Sequence, residues 1–279
     1  MPRDHLSYSA FTRYQACAQR AWAEDNDLVR KETTDEMLIG SYVDRKLLGG
    51  FEAFQKENAY RLVKFPTLEV IKIVHPELGK MKVGDLKKSH PQLALELGEP
   101  CEIVERAERM VARARADNLF MRFMDGDHQV KGEVTIDGVP YVVIADVVSS
   151  DCCVDLKTTG SIAEWAWDSV EHRRTPWWYH ARYWLQGALQ CEAFKKDKFY
   201  TAVLTRENPP DIGVLEFRKE MLDRGINELR LTTATIWEWS QKGNGPGCGR
   251  CDWCRGHHKA VVSLASELEW GSTAQQSAE

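Results

Sequence analysis

The sequence has little that would place it in a membrane or direct it out of the cell. It has no apolar run approaching the roughly 20 residues that a membrane-spanning helix needs. Its first five residues are polar and lack the apolar core of a secretion signal. We therefore expect a cytoplasmic protein without a membrane partner.

The sequence also lacks an excess of basic residues. Its 37 lysines and arginines are outnumbered by 42 aspartates and glutamates, so the formal net charge is -5. This excludes a surface that is basic all over, but a basic groove on one face can coexist with an acidic remainder. At 43% hydrophobic and 28% charged residues, the 279-residue chain is typical of a soluble globular protein with a substantial core.

Eight cysteines are present, and three of them lie close together at Cys248, Cys251 and Cys254. Structural disulfides are rare in the cytoplasm, so this C-x-x-C-x-x-C spacing indicates ligands for zinc or an iron–sulfur cluster. A fourth ligand is needed. His257 and His258 are local candidates that would favour zinc, and Cys17 is a remote one. The remaining cysteines are expected to pack as small buried hydrophobes: Cys101, Cys152, Cys153 and Cys191.

Hydrophobic periodicity predicts helices before and after a central run of strands. The predicted helices cover 7–24, 36–57, 101–117, 177–194 and 218–241. The predicted strands cover 129–136, 139–148, 152–156, 198–206 and 212–217, and Asp137-Gly138 is a hairpin signal between the first two. Residues 58–100 have a mixed pattern. We expect an α/β core with helical additions.

Two aspartates and a lysine stand out in the predicted strands. Asp146 lies inside an apolar strand, where a charge is costly unless it is paired or binds a metal. Asp155 ends the next strand, and Lys157 shares its face because it lies two residues on. Such a group suits phosphodiester hydrolysis, with the carboxylates holding Mg²⁺ or Mn²⁺ and the lysine orienting water or offsetting charge. The plainer alternative is a salt bridge at a strand end, with Asp146 as a hydrogen-bonded turn residue.

The segment 172–182 mixes cations with aromatic rings. Such mixtures suit single-stranded nucleic acid, through phosphate pairing and base stacking. Arg173, Arg174 and Arg182 are the candidate DNA contacts. For most of the tryptophans, burial against the sheet is the preferred interpretation.

Several of these segments together resemble the PD-(D/E)xK nuclease superfamily, specifically its RecB-like exonucleases. The resemblance rests on segments 132–133, 144–148, 154–160 and 183–186. It implies a restriction-endonuclease-like fold, in which helices flank a central mixed β-sheet. It also implies that Asp146 and Asp155 are metal ligands, that Lys157 is catalytic, and that Gln186 contacts the site or the DNA. The tyrosine usual in that helix is replaced by Gln190, and Glu133 is a weaker candidate for a supporting role.

The family also places a histidine or an acidic residue on an N-terminal helix soon after a glycine. Here Gly40 precedes Asp44 at that position, so the resemblance implies that Asp44 is a third metal ligand. The alternative is that Asp44 is a solvated helix residue.

The cysteines strengthen the resemblance to one subset, which includes the AddB type and the CRISPR-associated iron–sulfur exonucleases. Segment 7–17 resembles their N-terminal pattern of serines followed by Tyr-x-x-Cys. The resemblance implies that Cys17, Cys248, Cys251 and Cys254 hold a [4Fe–4S] cluster that joins the two ends of the chain. Zinc remains the alternative at these four cysteines.

The resemblance also implies an organisation and a role. We expect an N-terminal helical region at 1–128, a nuclease core at 129–241, and a cysteine cluster with tail at 242–279. The implied function is a Mg²⁺- or Mn²⁺-dependent DNA exonuclease of recombination, repair or phage replication, in bacterial or phage-infected cytoplasm. DNA is the implied partner, with a recombinase or single-strand-binding protein as a further one.

Two other functions stay open at this point. The first is a non-catalytic DNA-binding or assembly subunit that keeps the fold and the cluster, which the change from histidine to Asp44 suggests. The second is a zinc-stabilised nucleic-acid-binding protein of unrelated fold.

Overall fold

A computed structural model describes residues 3–29, 33–168 and 172–257. The helices are α1 (Tyr8–Ala16), α2 (Ala18–Asp25), α3 (Asp35–Leu48), α4 (Phe51–Asn58), α5 (Leu68–Val74), α6 (Val83–Ser89), α7 (Leu93–Leu97), α8 (Glu102–Arg115), α9 (Asn118–Phe123), α10 (Trp177–His180), α11 (Tyr183–Phe194), α12 (Lys219–Lys242) and α13 (Asp252–His257). The strands are β1 (Asp127–Ile136), β2 (Val139–Val148), β3 (Cys152–Thr159), β4 (Trp165–Asp168), β5 (Arg173–Pro176), β6 (Lys198–Thr205) and β7 (Ile212–Phe217). No helix within the described ranges is long and apolar enough to cross a membrane.

Five strands form one mixed sheet in the order β1-β2-β3-β6-β7. Neighbours are antiparallel except for β3 and β6, which are parallel. A parallel pair needs a long crossover, and here it contains the separate β4–β5 hairpin, α10 and α11. The predicted fold, a central mixed sheet flanked by helices, is confirmed.

Helices cover both faces of this sheet. One apolar layer contains α1, α11 and α12, and the other contains α3, α8 and α9. Successive residues of β3 alternate between the layers, because side chains in a strand point to opposite faces. Cys153 packs in the first layer, and its neighbours Cys152 and Val154 pack in the second. Asp155 and Lys157 therefore face α11.

The five predicted strands of the main sheet are present, but three predicted helices are interrupted. The helix predicted at 7–24 breaks at Cys17, which is extended with φ -165°. The helix predicted at 36–57 breaks at Gly49 and Gly50, whose positive φ values of 110° and 81° suit glycine. The helix predicted at 177–194 breaks before α11 at Arg182, which is left-handed with φ 55°.

The β4–β5 hairpin was not predicted. Its two strands have only four residues each, too few for a strand period to emerge from a polar, tryptophan-containing stretch. Trp165 pairs with Pro176, and Trp167 pairs with Arg174.

Candidate active site and cysteine cluster

The candidate site lies where β2 and β3 separate. The two strands pair only at Val147–Val154 and Val148–Cys153. The next positions along the strands are Asp146 and Asp155, and here the Asp146 carboxylate takes the place of the strand pairing. Its Oδ2 accepts a hydrogen bond of 2.8 Å from the backbone N–H of Leu156.

Asp155 is the most enclosed carboxylate of the site, with 2% of its surface exposed. The Nζ of Lys157 lies 2.5 Å from its Oδ2. Its Oδ1 accepts a hydrogen bond of 2.5 Å from Nε2 of Gln186 and a longer one of 3.5 Å from Nε2 of Gln190. Both glutamines lie one turn apart on α11, so the residue found where the family usually has tyrosine also faces the site.

Asp44 reaches the same site from α3, which packs on the opposite face of the sheet from α11. Its Oδ1 accepts a hydrogen bond of 3.3 Å from Nε2 of Gln129, and the same nitrogen donates to Oδ1 of Asp146 over 3.1 Å. Gln129 was missed by sequence reasoning. The register of β1 places it opposite Asp146, where the strand pairing is interrupted and its φ is 52°.

Burial and neighbouring charges shift the pKa values of the ionisable groups in this site. Burial raises the pKa of Asp146 to about 7, and the neighbouring charge of Asp155 adds to this, against the opposing effect of Lys157. Burial likewise raises the pKa of Asp44. Burial alone would lower the pKa of Lys157, but Asp155, Tyr183 and Asp146 outweigh it and raise that pKa. One lysine thus faces three acidic side chains.

The donor set fits a hard divalent cation. Mg²⁺ and Mn²⁺ prefer oxygen ligands such as carboxylates, which Asp44, Asp146 and Asp155 supply. A cation here would favour the charged carboxylate of Asp146, against the burial and the Asp155 charge that raise its pKa. Among the described residues, the three carboxylates do not form a ligand group as tight as that of the cysteines, and Gln129 is what links two of them.

Gly40 determines how closely α3 approaches β3. A Cβ at this position would lie 2.9 Å from Oγ1 of Thr158. Asp44 is one helical turn further along the same face of α3, so this close approach brings it to the site.

We expect Gly40→Ala to push α3 away from β3, with a loss of about 1–3 kcal/mol in the free energy of unfolding and weaker Mn²⁺ binding. Chemical unfolding and calorimetric titration with Mn²⁺ measure the two effects. Gly84→Ala on α6 is the matched control, because a Cβ there meets nothing within 4 Å. Equal stability and Mn²⁺ affinity in the two variants would contradict this role of Gly40.

The three candidate DNA-contacting arginines differ in their surroundings. Arg173 and Arg174 are exposed on β5. Arg182 instead forms an ion pair with Glu228 and donates a hydrogen bond of 2.8 Å to Gln15. These contacts give Arg182 a structural role in joining α12 to the N-terminal segment.

Two further predictions concern residues away from this centre. Glu133 is exposed on β1 and pairs with Lys131 over 3.3 Å. Its candidate supporting role is not reflected in these contacts. Trp177 is buried, as expected for most tryptophans of this stretch, whereas Trp165 and Trp167 are exposed.

The second centre is a cluster of four cysteines. The Sγ atoms of Cys17, Cys248, Cys251 and Cys254 all lie within 4.8 Å of one another. Cys17 Sγ lies 3.5 Å from Cys254 Sγ and 3.8 Å from Cys251 Sγ. The helix break at Cys17 turns this thiol toward the segment that follows α12. Four cysteines placed in this way could bind a metal.

Backbone amides favour the thiolate form of Cys248, whereas burial raises the pKa of Cys17 to about 12. The Cys251 N–H lies 3.3 Å from Sγ of Cys248. Burial alone would raise the pKa of Cys248, but the amides of Arg250 and Cys251 outweigh it and lower that pKa to about 6. Gly247 allows the backbone to pass close to the thiol of Cys254, since a Cβ at position 247 would lie 2.9 Å from its Sγ.

The structure also locates the other cysteines and histidines considered as ligands. His257 stacks on Trp253 and bonds to its carbonyl oxygen, so its ring is engaged away from the thiols. His258 lies outside the described residues. Outside the cluster, two cysteines are buried as predicted and two are only half-buried: Cys152 and Cys153, and Cys101 and Cys191, respectively.

Comparison with known families matches residues 7–257 to the PDDEXK-like domain of unknown function (DUF3799). This chain belongs to that family. The match includes both the β2–β3 centre and all four cluster cysteines of the PDDEXK-like chain. A comparison with curated proteins finds no match.

A solved structure agrees with the fold of the PDDEXK-like chain. The crystal structure of a "putative exonuclease" from Eubacterium rectale superposes with a TM-score of 0.76 at 21% identity, covering 96% of this chain and 94% of that one. At this identity the likeness shows the fold alone. The crystal structure of SSO0001 covers 77% of this chain and 84% of that one at 14% identity, with a TM-score of 0.26, and carries no argument.

Proposed function

We propose that this protein is a Mg²⁺- or Mn²⁺-dependent deoxyribonuclease that acts as an exonuclease. The observation that carries the proposal is the convergence of Asp146, Asp155 and Lys157 at the point where β2 and β3 separate. The PDDEXK-like family and the fold shared with a protein described as an exonuclease support it. Recombination, repair or phage replication is the role that the resemblance suggests.

Each residue of the site has a proposed part in the reaction. Asp44, Asp146 and Asp155 would hold the cation, which when bound supplies a more acidic water and polarises a phosphoryl oxygen. Lys157, 2.5 Å from Asp155, would offset negative charge as it develops on a phosphate bound at the site. Gln186 holds the Asp155 carboxylate in orientation through its 2.5 Å bond.

Gln129 is proposed as a positioning residue for the metal ligands. Its amide joins carboxylates that come from α3 and from β2. Such supporting hydrogen bonds commonly contribute 10- to 100-fold to metal affinity. Through this link Asp44 can serve in place of the histidine usual in the family.

We expect Gln129→Ala to weaken Mn²⁺ binding by about tenfold or more, because two carboxylates then lack their shared donor. Calorimetric titration with Mn²⁺ measures the affinity directly. Gln92→Ala is the control, because it removes an exposed glutamine that is not part of the site. This variant should bind Mn²⁺ like the wild type. Unchanged affinity in Gln129→Ala would remove Gln129 from the site.

Digestion of end-labelled DNA tests the function itself. Single- and double-stranded substrates are incubated with Mg²⁺ or Mn²⁺, and loss of label from the ends is compared with internal cleavage. Release of mononucleotides or short products from the ends supports the exonuclease. DNA binding without any cleavage would instead support the non-catalytic DNA-binding subunit.

For the cysteine cluster we propose a [4Fe–4S] cluster. The C-x-x-C-x-x-C spacing is that of ferredoxin-type clusters, although the remote fourth cysteine, Cys17, precedes the three here. Zinc is the alternative, because a tetrahedral ion with Zn–S bonds of about 2.3 Å places sulfurs about 3.8 Å apart, close to the observed 3.5 and 3.8 Å. A four-iron cluster requires the thiols to move apart, since each binds a different iron. Metal content distinguishes the two.

A further inference from the structure

The β4–β5 hairpin carries two tryptophans on its outward face. Trp165 is 53% exposed and Trp167 is 60% exposed. Residues paired across antiparallel strands share a face, so Pro176 and Arg174 lie beside them. The opposite face points inward, because Asp168 and Thr175 are buried. The outward face therefore combines two indole rings with one guanidinium group.

This face is unusual for a packing element. A tryptophan side chain buries 150–250 Å² when it is covered, yet both indoles remain largely uncovered. Within the described residues neither ring stacks on another aromatic ring. Arg174 is held beside the first indole by a hydrogen bond of 3.1 Å to the carbonyl oxygen of Trp165.

The base of the hairpin is attached to the candidate active site by a series of contacts. The backbone N–H of Trp177 donates to the carbonyl of Glu164, and its indole donates to the carbonyl of Ile162, each over 3.1 Å. The Trp177 ring packs edge-on against Tyr183 at 5.6 Å. Lys157 Nζ lies 5.1 Å above the Tyr183 ring. The hairpin is thus connected through Trp177 to Tyr183, whose ring Lys157 contacts.

We propose that the outward face of this hairpin binds unpaired bases of single-stranded DNA beside the active site. This rests on the proposed deoxyribonuclease function. Indole rings stack on base faces, which are accessible only in unpaired strands, and an adjacent arginine can pair with the phosphates. Duplex DNA hides its base faces, so the same surface would select a single strand or an unpaired end.

Binding of labelled DNA to the full-length Asp155→Asn variant tests this proposal. This variant, used in metal-free buffer, separates binding from digestion. Fluorescence anisotropy of a labelled oligothymidylate, and of a duplex of equal length at the same salt concentration, gives the two dissociation constants. With Trp165→Ala and Trp167→Ala combined, we expect single-strand affinity to fall about tenfold or more, since each stacked base contributes strongly. Duplex affinity should change little.

Two further variants separate recognition from structure. Replacing both tryptophans by phenylalanine should restore most of the single-strand affinity, because a phenyl ring still stacks. Leu231→Ala on α12 is the matched control, an exposed apolar residue at 83% exposure outside the hairpin, and should bind like the parent. The melting temperature of the double alanine variant should match that of the parent.

Four outcomes would overturn the proposal. Unchanged single-strand affinity in the double alanine variant would show that the hairpin does not bind DNA. The proposed nuclease function would still hold if the wild type cleaves DNA. An equal loss for duplex DNA would refute selection of unpaired bases. Unchanged single-strand affinity together with a changed oligomeric state would assign the face to protein contact instead. Absence of single-strand binding by the parent would also refute this proposal, whereas digestion of DNA by the wild type decides the proposed function separately.

Discussion

Asp155→Asn and Lys157→Ala should each lower the rate of DNA cleavage by at least about 10³-fold. Asp155 is buried, is proposed to hold the cation, and lies 2.5 Å from the Lys157 ammonium. Replacing either residue therefore removes both its own contribution and the charge partner of the other. Initial rates on end-labelled single- and double-stranded DNA with Mg²⁺ or Mn²⁺ measure the effect. We expect the same loss for Asp155→Ala.

Both variants should still melt cooperatively, although at a lower temperature, because breaking a buried ion pair leaves one charge without its partner. The exposed pair Asp151–Lys198, 3.2 Å apart, provides matched controls. Asp151→Asn and Lys198→Ala should cleave DNA like the wild type. Cleavage that survives in both Asp155→Asn and Lys157→Ala would show that the active site lies elsewhere.

Cys17→Ser should cause a large loss of stability, although Cys17 lies outside the active site. Cys17 and Cys248 are 231 positions apart in sequence, yet the backbone N–H of Cys248 lies 3.4 Å from Sγ of Cys17. A metal that joins them closes a loop of this length. By analogy with a cross-link of that span, the constraint is worth about 5 kcal/mol. For a chain of this size this corresponds to a fall of about 10–20 °C in the melting temperature.

Cys101→Ser is the control for this substitution, since Cys101 lies outside the cluster and is half-buried. It should keep both its bound metal and its melting temperature. Iron, sulfide and zinc are measured on anaerobically purified protein, with iron and sulfide expected in the wild type and lost in Cys17→Ser. Stoichiometric zinc without iron or sulfide would refute the iron–sulfur cluster and show that the four cysteines bind a zinc ion. Metal that stays fully bound in Cys17→Ser would show that Cys17 is not a ligand.

The strands of the main sheet and the neighbourhood of Asp146 and Asp155 could be predicted from local pattern. Both depend on alternation of apolar residues and on the short connection 149–151, which forces adjacent strands together. Gln129 could not be predicted in this way. Its contacts with Asp44 and Asp146 span 85 and 17 positions, and they depend on a left-handed backbone that no side-chain pattern indicates for glutamine.

The helix breaks show the same limit. A helical period continues through Cys17 because the flanking residues have helical spacing on both sides. The bend there depends on a partner more than 230 positions away. The exposure of Trp165 and Trp167 is likewise a tertiary property, since composition alone does not distinguish an outward indole from the buried Trp177.

By itself the sequence determined the strand pattern, the acidic and lysine residues on two neighbouring strands, and the cysteine spacing. These features are local, because they depend on residues a few positions apart. The tertiary structure decided that α3 brings Asp44 to those strands, that Gln129 links it to Asp146, and that Cys17 meets the C-terminal cysteines. It also decided which tryptophans face outward. Those outcomes depend on how separate elements pack, and packing is set by contacts between residues far apart in the chain.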